Sequence, residues 1–348
     1  MLDPSPLSTR DRVAYLAQHR ILRQGLGGLL RTLIGTFAPS APPPPTDAEL
    51  ASLDGRMNAM LQADLAHVAA GDYPRALLFQ LPARAYLRTL PSILRDLPSV
   101  AKRVETKNHL DLPGDLDVAR YPAYYRRNFH WQTDGWFSES SAARYDATVE
   151  ILFGGTADVM RRMAIPPVVQ ALRGHQAPRV LDVASGTGRF LSQLHQAMPS
   201  ARLVGLDLSV PYCAYARKAL AHIDDLSIVA DNAERMPFAD GLFDAVTSVF
   251  LFHELPKDAR RNVMREMNRV LAPGGICVVN DSAQLVESPE LKRLLEGFSA
   301  DYHEPYYKGY VNDPLETALA ECGFEVLSST PAMVSKVVVA RKAFACAE

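Results

Sequence analysis

The sequence predicts an α/β fold: a largely parallel sheet with helices on both faces, preceded by a helical N-terminal region. Three observations predict it. From Pro178 onward, short β-branched runs alternate with longer helical stretches. A glycine-rich turn joins the first of these runs to a helix. Before them, residues 1–120 carry helical patterns broken by proline. The 348 residues suggest about two domains, and a composition 48% hydrophobic and 22% charged is that of a globular chain. The expected division is a helical region over 1–120, an aromatic connecting segment over 121–164 and the sheet domain over 165–348. Thirty-seven Lys+Arg against 39 Asp+Glu leave a net charge of −2, without the strongly basic balance that nucleic-acid binding needs.

The elements follow in order. The N-terminus, MLDPSPLSTRDR, has no apolar segment of the signal-peptide type, and no apolar run approaches the ~18 residues of a membrane span. A cytoplasmic protein is therefore expected. Val13 to Phe37 reads as a helix with Leu22, Leu26, Leu29, Leu33 and Phe37 at helical spacing. Gly25, Gly27 and Gly28 each weaken it by ~1 kcal/mol relative to alanine. That stripe suits packing on the rest of the chain or on a second copy, and also peripheral contact with a membrane. The stiff proline run 41–45 follows, then a helix from Asp47 and another over 83–104 with interruptions at Pro91 and Pro98. Eight of the chain's aromatic residues fall within 121–145, interleaved with Asn128, His130, Gln132 and Asp134. Such a segment can be a lid over a ligand cleft or an apolar seam between domains. Strands are expected at 179–183, 202–207, 226–229, 245–249 and 276–279. Cys213, Cys277, Cys322 and Cys346 show neither a CxxC nor a zinc spacing, so neither a disulfide frame nor a metal site is expected.

The sharpest signal is the run from Val180 to Phe190, VLDVASGTGRF. A strand carrying Asp182 passes through Ala184, Gly186 and Gly188 into a helix, and the glycines let a ligand approach main-chain N–H groups. A dinucleotide fingerprint needs a third glycine at position 191, where this chain has Leu191. Asp207 ends the second run 25 residues after Asp182, the position from which a carboxylate accepts hydrogen bonds from both hydroxyls of a ribose.

With these residues in hand, positions ~165–345 resemble a class I S-adenosylmethionine-dependent methyltransferase. The branch is that of the ubiquinone/menaquinone-biosynthesis C-methyltransferases. The turn from Asp182 to Gly188 is similar to the family's D/E-x-G-x-G-x-G, with Ala184 in place of the first glycine. Asp207 matches the ribose-binding acid, and 232–238 (NAERMPF) matches the family's D-A-E-x-L-P-F, with Asn232 at the adenine-binding acid. Residues 243–246 and 269–275 match the fourth strand and the turn before the fifth, and 336–341 resembles an antiparallel seventh strand. The resemblance implies a Rossmann-like sheet, S-adenosylmethionine as cofactor, and binding by Asp182, Ala184, Gly186, Gly188, Asp207, Leu208, Asn232, Ala233 and Phe250.

The implied reaction transfers a methyl group to a small or lipophilic organic acceptor, on carbon ahead of oxygen or nitrogen. Transfer of this kind needs alignment, water exclusion and, for a carbon or hydroxyl nucleophile, a base, but no metal. His253 and Glu254, after the fourth strand, His303 beyond the fifth, and His130 in the aromatic segment are the candidate catalytic groups. Glu304 stands beside His303. Trp131, Trp136, Tyr302, Tyr306 and Tyr307 are candidate acceptor contacts. The rival readings are an NAD-dependent oxidoreductase and a non-catalytic nucleotide-binding module. The partner is a small molecule and not a nucleic acid, with peripheral membrane contact and homo-oligomerisation both open.

Overall fold

A computed structural model describes residues 7–37 and 46–343. The proline run 41–45 and Cys346 lie outside the described residues, as do the side chains of 27–37, where the leucine stripe continues.

Six helices precede the sheet: α1 (Thr9–Phe37), α2 (Asp47–Ala69), α3 (Ala83–Thr106), α4 (Glu139–Leu152), α5 (Ala157–Arg162) and α6 (Ile165–Ala171). Helix α2 opens on a capping box: Thr46 accepts from the Glu49 amide while Glu49 reaches back to the Thr46 amide. Helix α3 runs unbroken through Pro91 and Pro98, unlike the interrupted pattern expected. Both prolines lie on the exposed face, where water can satisfy the carbonyls that each missing N–H leaves unpaired.

The alternating region then forms β1 (Arg179–Val183), α7 (Arg189–Ala197), β2 (Arg202–Asp207), α8 (Val210–Ala219), β3 (Leu226–Ala230) and β4 (Phe243–Val249). It continues as α9 (Lys257–Val270), β5 (Leu271–Ser282), α10 (Lys292–Asp301), α11 (Tyr307–Val311), α12 (Leu315–Glu321), β6 (Phe324–Ala332) and β7 (Ser335–Lys342). The seven strands lie in the order β3-β2-β1-β4-β5-β7-β6, with β7 antiparallel to both of its neighbours. This is a Rossmann-like, mostly parallel sheet with an antiparallel β7 and a helical N-terminal extension. The order reverses between β1 and β4, so a crevice opens at the C-terminal ends of those strands.

Residues of β1 alternate between two cores. Val180 joins a layer with Leu65 of α2 and Ile165 of α6. Leu181 and Val183 join Met264 and Met267 of α9 on the opposite face. The N-terminal helices thus share a continuous core with the sheet. A buried polar knot fastens them: Asp64 of α2 accepts from Arg162 Nε at 3.1 Å and from the hydroxyls of Tyr15 and Tyr73. Cys213, Cys277 and Cys322 are buried free thiols. No helix among the described residues is long and apolar enough to cross a membrane.

Candidate active site

The glycine turn is built by backbone geometry that side chains rarely adopt. Ala184 takes φ 60°, the left-handed region that glycine occupies at lower cost. Gly186 takes φ 55°, and a Cβ there would meet nothing within 4 Å, so its face is open to the crevice. Gly188 is needed for packing instead: a Cβ would sit 2.5 Å from Leu220 Cδ1, which places Gly188 behind the crevice wall. Leu191, where a dinucleotide site needs glycine, is fully buried in the core under the turn.

Two carboxylates bracket this turn. Asp207 Oδ2 accepts the Gly186 amide and Oδ1 the Ser209 amide, both at 2.8 Å. One side chain therefore braces the turn and the start of α8, while burial pushes its carboxyl up. Asp182 is 1% exposed and accepts from Thr247 Oγ1 at 2.9 Å. Burial pushes its carboxyl up to about 8; Thr247 opposes that shift and the neighbouring Asp207 charge adds to it. Leu208, Asn232, Ala233 and Phe250 line the same cleft. Asn232 Oδ1 accepts the Glu234 amide at 2.9 Å, which folds the loop after β3. These residues fit a ligand that carries a cation and a ribose: among the described residues no cationic side chain pairs with Asp182, and buried Ser185 Oγ has no hydrogen-bond partner.

Residues 121–152 lie across the cleft. Tyr124, Tyr125, Trp136, Tyr145 and Asp146 form part of its wall. Ser209 Oγ donates to the Trp136 carbonyl at 2.5 Å, and Gln132 Nε2 donates to the Tyr212 hydroxyl at 3.0 Å, tying the segment to α8 and its N-terminal cap. The same segment has its own apolar seam, where Tyr121, Tyr125 and Phe137 are buried together. One segment therefore both lines the cleft and packs an apolar seam of its own. Arg161 of α5 also reaches the cleft, 2.9 Å from Asp158. Neither Arg161 nor Asp146 stands out in the sequence, because α4 and α5 carry no ligand-binding motif, whereas Tyr145 ends the aromatic-rich segment.

Beyond Phe250 and Tyr145, which border both spaces, lies a second cavity of about 420 Å³. Its wall is mostly apolar, with Met57 of α2, Val149 of α4, Met160 of α5 and Leu294 and Phe298 of α10. Tyr302 and Tyr307 line it, with Tyr307 hydrogen-bonded to Ser282 Oγ at 2.6 Å.

A charged cluster sits where the two spaces meet. His130 Nε2 is 3.0 Å from Glu254 Oε1 and 3.0 Å from Glu304 Oε1. His253 Nδ1 is 2.5 Å from Asp281 Oδ1, and its Nε2 lies 3.7 Å from Glu254 and 3.8 Å from Glu304. Burial works against the His130 imidazolium, but Glu254 and Glu304 outweigh it and push it up to about 10. Asp281 and Glu304 likewise overcome burial at His253 and push it up to about 9. Burial and the neighbouring Glu254 raise the Glu304 carboxyl. Asp281 gives no sign of this role in the sequence, where it reads as the polar end of a strand.

The remaining candidates stand apart from both spaces. His303 stacks on His109 at 4.4 Å and packs on Trp131 at 4.8 Å; burial, His109 and Arg127 push it down to about 4. Neither His303 nor Trp131 lines either space. Trp131 is buried, and its carbonyl accepts from Arg103 Nε at 3.0 Å. Tyr306 packs edge-on against Tyr124 beneath the Arg127 guanidinium and lines neither space. Within 302–307, Tyr302, Glu304 and Tyr307 line the cavity, while His303, which takes φ 50°, does not.

Comparison with known proteins agrees with this geometry. Residues 180–275 match the family model described as a methyltransferase domain. A demethylmenaquinone methyltransferase of Thermus thermophilus is 39% identical over 145 residues, covering 41% of this chain and 62% of that protein. The ubiquinone/menaquinone biosynthesis C-methyltransferase UbiE of Desulfotalea psychrophila is 32% identical over 164 residues, covering 47% and 62%. The chain spans about three-fifths of the length of these curated relatives. Among solved structures, a SAM-dependent methyltransferase from Aquifex aeolicus matches at 19% identity and a TM-score of 0.40, covering 52% of this chain and 92% of that one. Residues 180–275 are thus similar in sequence to a methyltransferase domain.

Proposed function

We propose that this protein transfers a methyl group from S-adenosylmethionine to carbon of a lipophilic organic acceptor, in the chemical class of quinol precursors that its relatives' names describe. The observation that supports this most is the large, mostly apolar cavity bordering the cofactor cleft, with a charged cluster where the two meet. A lipophilic ring fits such a space, and its polar edge would face the cluster.

The cofactor, when bound, supplies an electrophilic methyl on a sulfonium. The chain's part is to hold and to exclude. Asp207 would take the ribose hydroxyls, the Gly186 face would admit the ligand to the backbone, and Asp182 would balance positive charge. Trp136, Tyr125 and Tyr145, which line the cleft, would keep water from it once the cofactor is bound. A ring carbon that gains a methyl must lose a proton, and Glu254 is placed to accept it. Its carboxylate borders the cofactor cleft, contacts two residues of the acceptor cavity, and keeps Oε2 without a hydrogen bond.

The acceptor cavity is bordered at one end by Arg23 of α1 and Asp54 of α2, which pair there. Val13 and Ile21 of α1 are exposed. We extend the proposal to peripheral contact of α1 with a membrane holding the acceptor, tested by flotation with lipid vesicles. Loss of association in Ile21→Glu is the expected result, and unchanged association would end that extension.

The activity itself is tested with trideuteriomethyl-labelled cofactor and a lipid extract, followed by mass spectrometry. A lipophilic product gaining three deuterium atoms on carbon is expected. Label on oxygen or nitrogen would replace C-methylation with O- or N-methylation. No labelled product beside measurable cofactor binding would overturn the proposal.

A further inference from the structure

The cluster between the two spaces holds more negative charge than its hydrogen bonds can use. Glu304 is 1% exposed and Glu254 6% exposed, and they belong to segments fifty residues apart in sequence. Glu304 Oε2 and Glu254 Oε2 have no hydrogen-bond partner among the described residues. Two carboxylates buried side by side repel, and a divalent cation could balance them in place of the His130 imidazolium that lies between them. His130 Nε2 faces both at 3.0 Å, and the donor atoms of His130, Glu254 and Glu304 all lie within 4.8 Å of one another.

A second histidine completes the set. Asp281 engages His253 through Nδ1, and so leaves Nε2 directed at the same two glutamates, at 3.7 and 3.8 Å. A carboxylate behind a histidine is the arrangement that orients metal-ligating imidazoles and raises their basicity. Asp281 is itself fixed, because Oδ2 accepts the amides of Leu251 at 3.0 Å and Phe252 at 2.6 Å. The four donors come from three stretches of chain, at 130, 253–254 and 304. A search for closely spaced cysteine and histidine motifs therefore expects no metal here.

The geometry points to a divalent-cation site formed by His130, His253, Glu254 and Glu304, with Asp281 as the orienting residue behind His253. Two imidazoles and two carboxylates form a nitrogen–oxygen set without thiolate. That set suits a first-row divalent ion such as Zn²⁺ or Mn²⁺ above Mg²⁺ or Ca²⁺, which favour oxygen alone. Because Glu254 borders the cofactor cleft and the other three border the acceptor cavity, the ion would face the acceptor. Its role as a Lewis acid for an acceptor oxygen rests on the methyltransferase proposal; the site itself does not.

The test is titration of the chelator-treated full chain with Zn²⁺, and separately with Mg²⁺, by calorimetry in the absence of cofactor. One equivalent of Zn²⁺ should bind, with Mg²⁺ much weaker. Glu304→Gln should lower Zn²⁺ affinity on the order of 100-fold, and Asp281→Asn roughly 10–100-fold. Binding of S-adenosylhomocysteine to Glu304→Gln should be unchanged, which separates loss of the ion site from misfolding or from failure of the cofactor reading. Absence of a stoichiometric Zn²⁺ site, or equal affinity in Glu304→Gln, would overturn the proposal. Should that variant misfold, zinc-edge absorption of the loaded wild-type protein decides the matter. Two nitrogen and two oxygen protein ligands at ~2.0–2.2 Å support the site, and a hydrated or differently coordinated ion refutes it.

Discussion

Asp182 makes cofactor affinity depend on pH in a direction that its burial dictates. Its carboxyl is raised to about 8 by burial, with Thr247 as its hydrogen-bonding partner and the Asp207 charge nearby. In the cofactor-free protein the neutral form is therefore the resident form at pH 7. A cationic ligand favours the ionised form, so binding must expel the proton. The sign follows by linkage: affinity rises with pH up to about 8, then levels. From pH 6 to 7.5 the ionised fraction grows from about 1% to about a quarter, so affinity should climb about 25-fold. Calorimetry with S-adenosylhomocysteine in two buffers of different ionisation enthalpy should show close to one proton released per ligand at pH 6.5. In Asp182→Asn the titrating group is gone, and both the proton release and this rise should vanish. The same raised value makes the free protein lose stability as pH climbs from about 4 to 8, by up to about 1.4 kcal/mol per unit. A flat affinity profile, with no proton released by the wild type, would show that Asp182 is already ionised and would refute the reasoning.

Glu254→Gln should reduce methyl transfer by about 10²–10⁴-fold while S-adenosylhomocysteine still binds, as single-turnover kinetics would show; turnover within a few-fold of wild type would remove Glu254 as the proton acceptor. Leu294→Trp fills the apolar cavity from α10, and should raise the KM for a lipophilic acceptor without changing cofactor affinity. Asp64→Asn breaks a fully buried pair and leaves Arg162 without its counter-charge, so urea unfolding should show a loss of about 3–5 kcal/mol. A loss below about 1 kcal/mol would mean that the knot between α1, α2 and α5 is not what fastens the N-terminal helices.

The cofactor half of the site was legible because one contiguous turn and one strand tip carry most of it. The span from Asp182 to Gly188, and Asp207 25 residues after Asp182, are short-range features whose chemistry depends on spacing alone. The strands β1 and β2 coincide with the β-branched runs, since both faces of each are covered. Strand β6 was silent for the opposite reason. It is an edge strand whose central residues are mostly exposed, so Leu327 to Thr330 show no apolar alternation. Strand β5 begins at Leu271, before the β-branched run, because pairing with Phe243 carries it through Pro273 and two glycines at an irregularity in the register.

The acceptor half was less legible because it is assembled at long range. Met57, Val149, Leu294 and Phe298 look like ordinary core positions in their own helices, and only tertiary packing leaves a space between them. The aromatic segment stood out, but its backbone decides which side chains turn inward. His130 and Trp131 are consecutive residues with φ 54° and 56°, and only His130 borders the cavity. Ala184, Phe250 and His303 also take positive φ, so uncommon backbone geometry is concentrated around the two spaces.

A crystal structure with S-adenosylhomocysteine tests the central placement most directly. The ligand should lie over Gly186, with its ribose hydroxyls on Asp207 and its amino group toward Asp182, and with Phe250 and Tyr145 between it and the apolar cavity. A ligand bound elsewhere, with its ribose away from Asp207, would contradict that placement and the route proposed for methyl transfer.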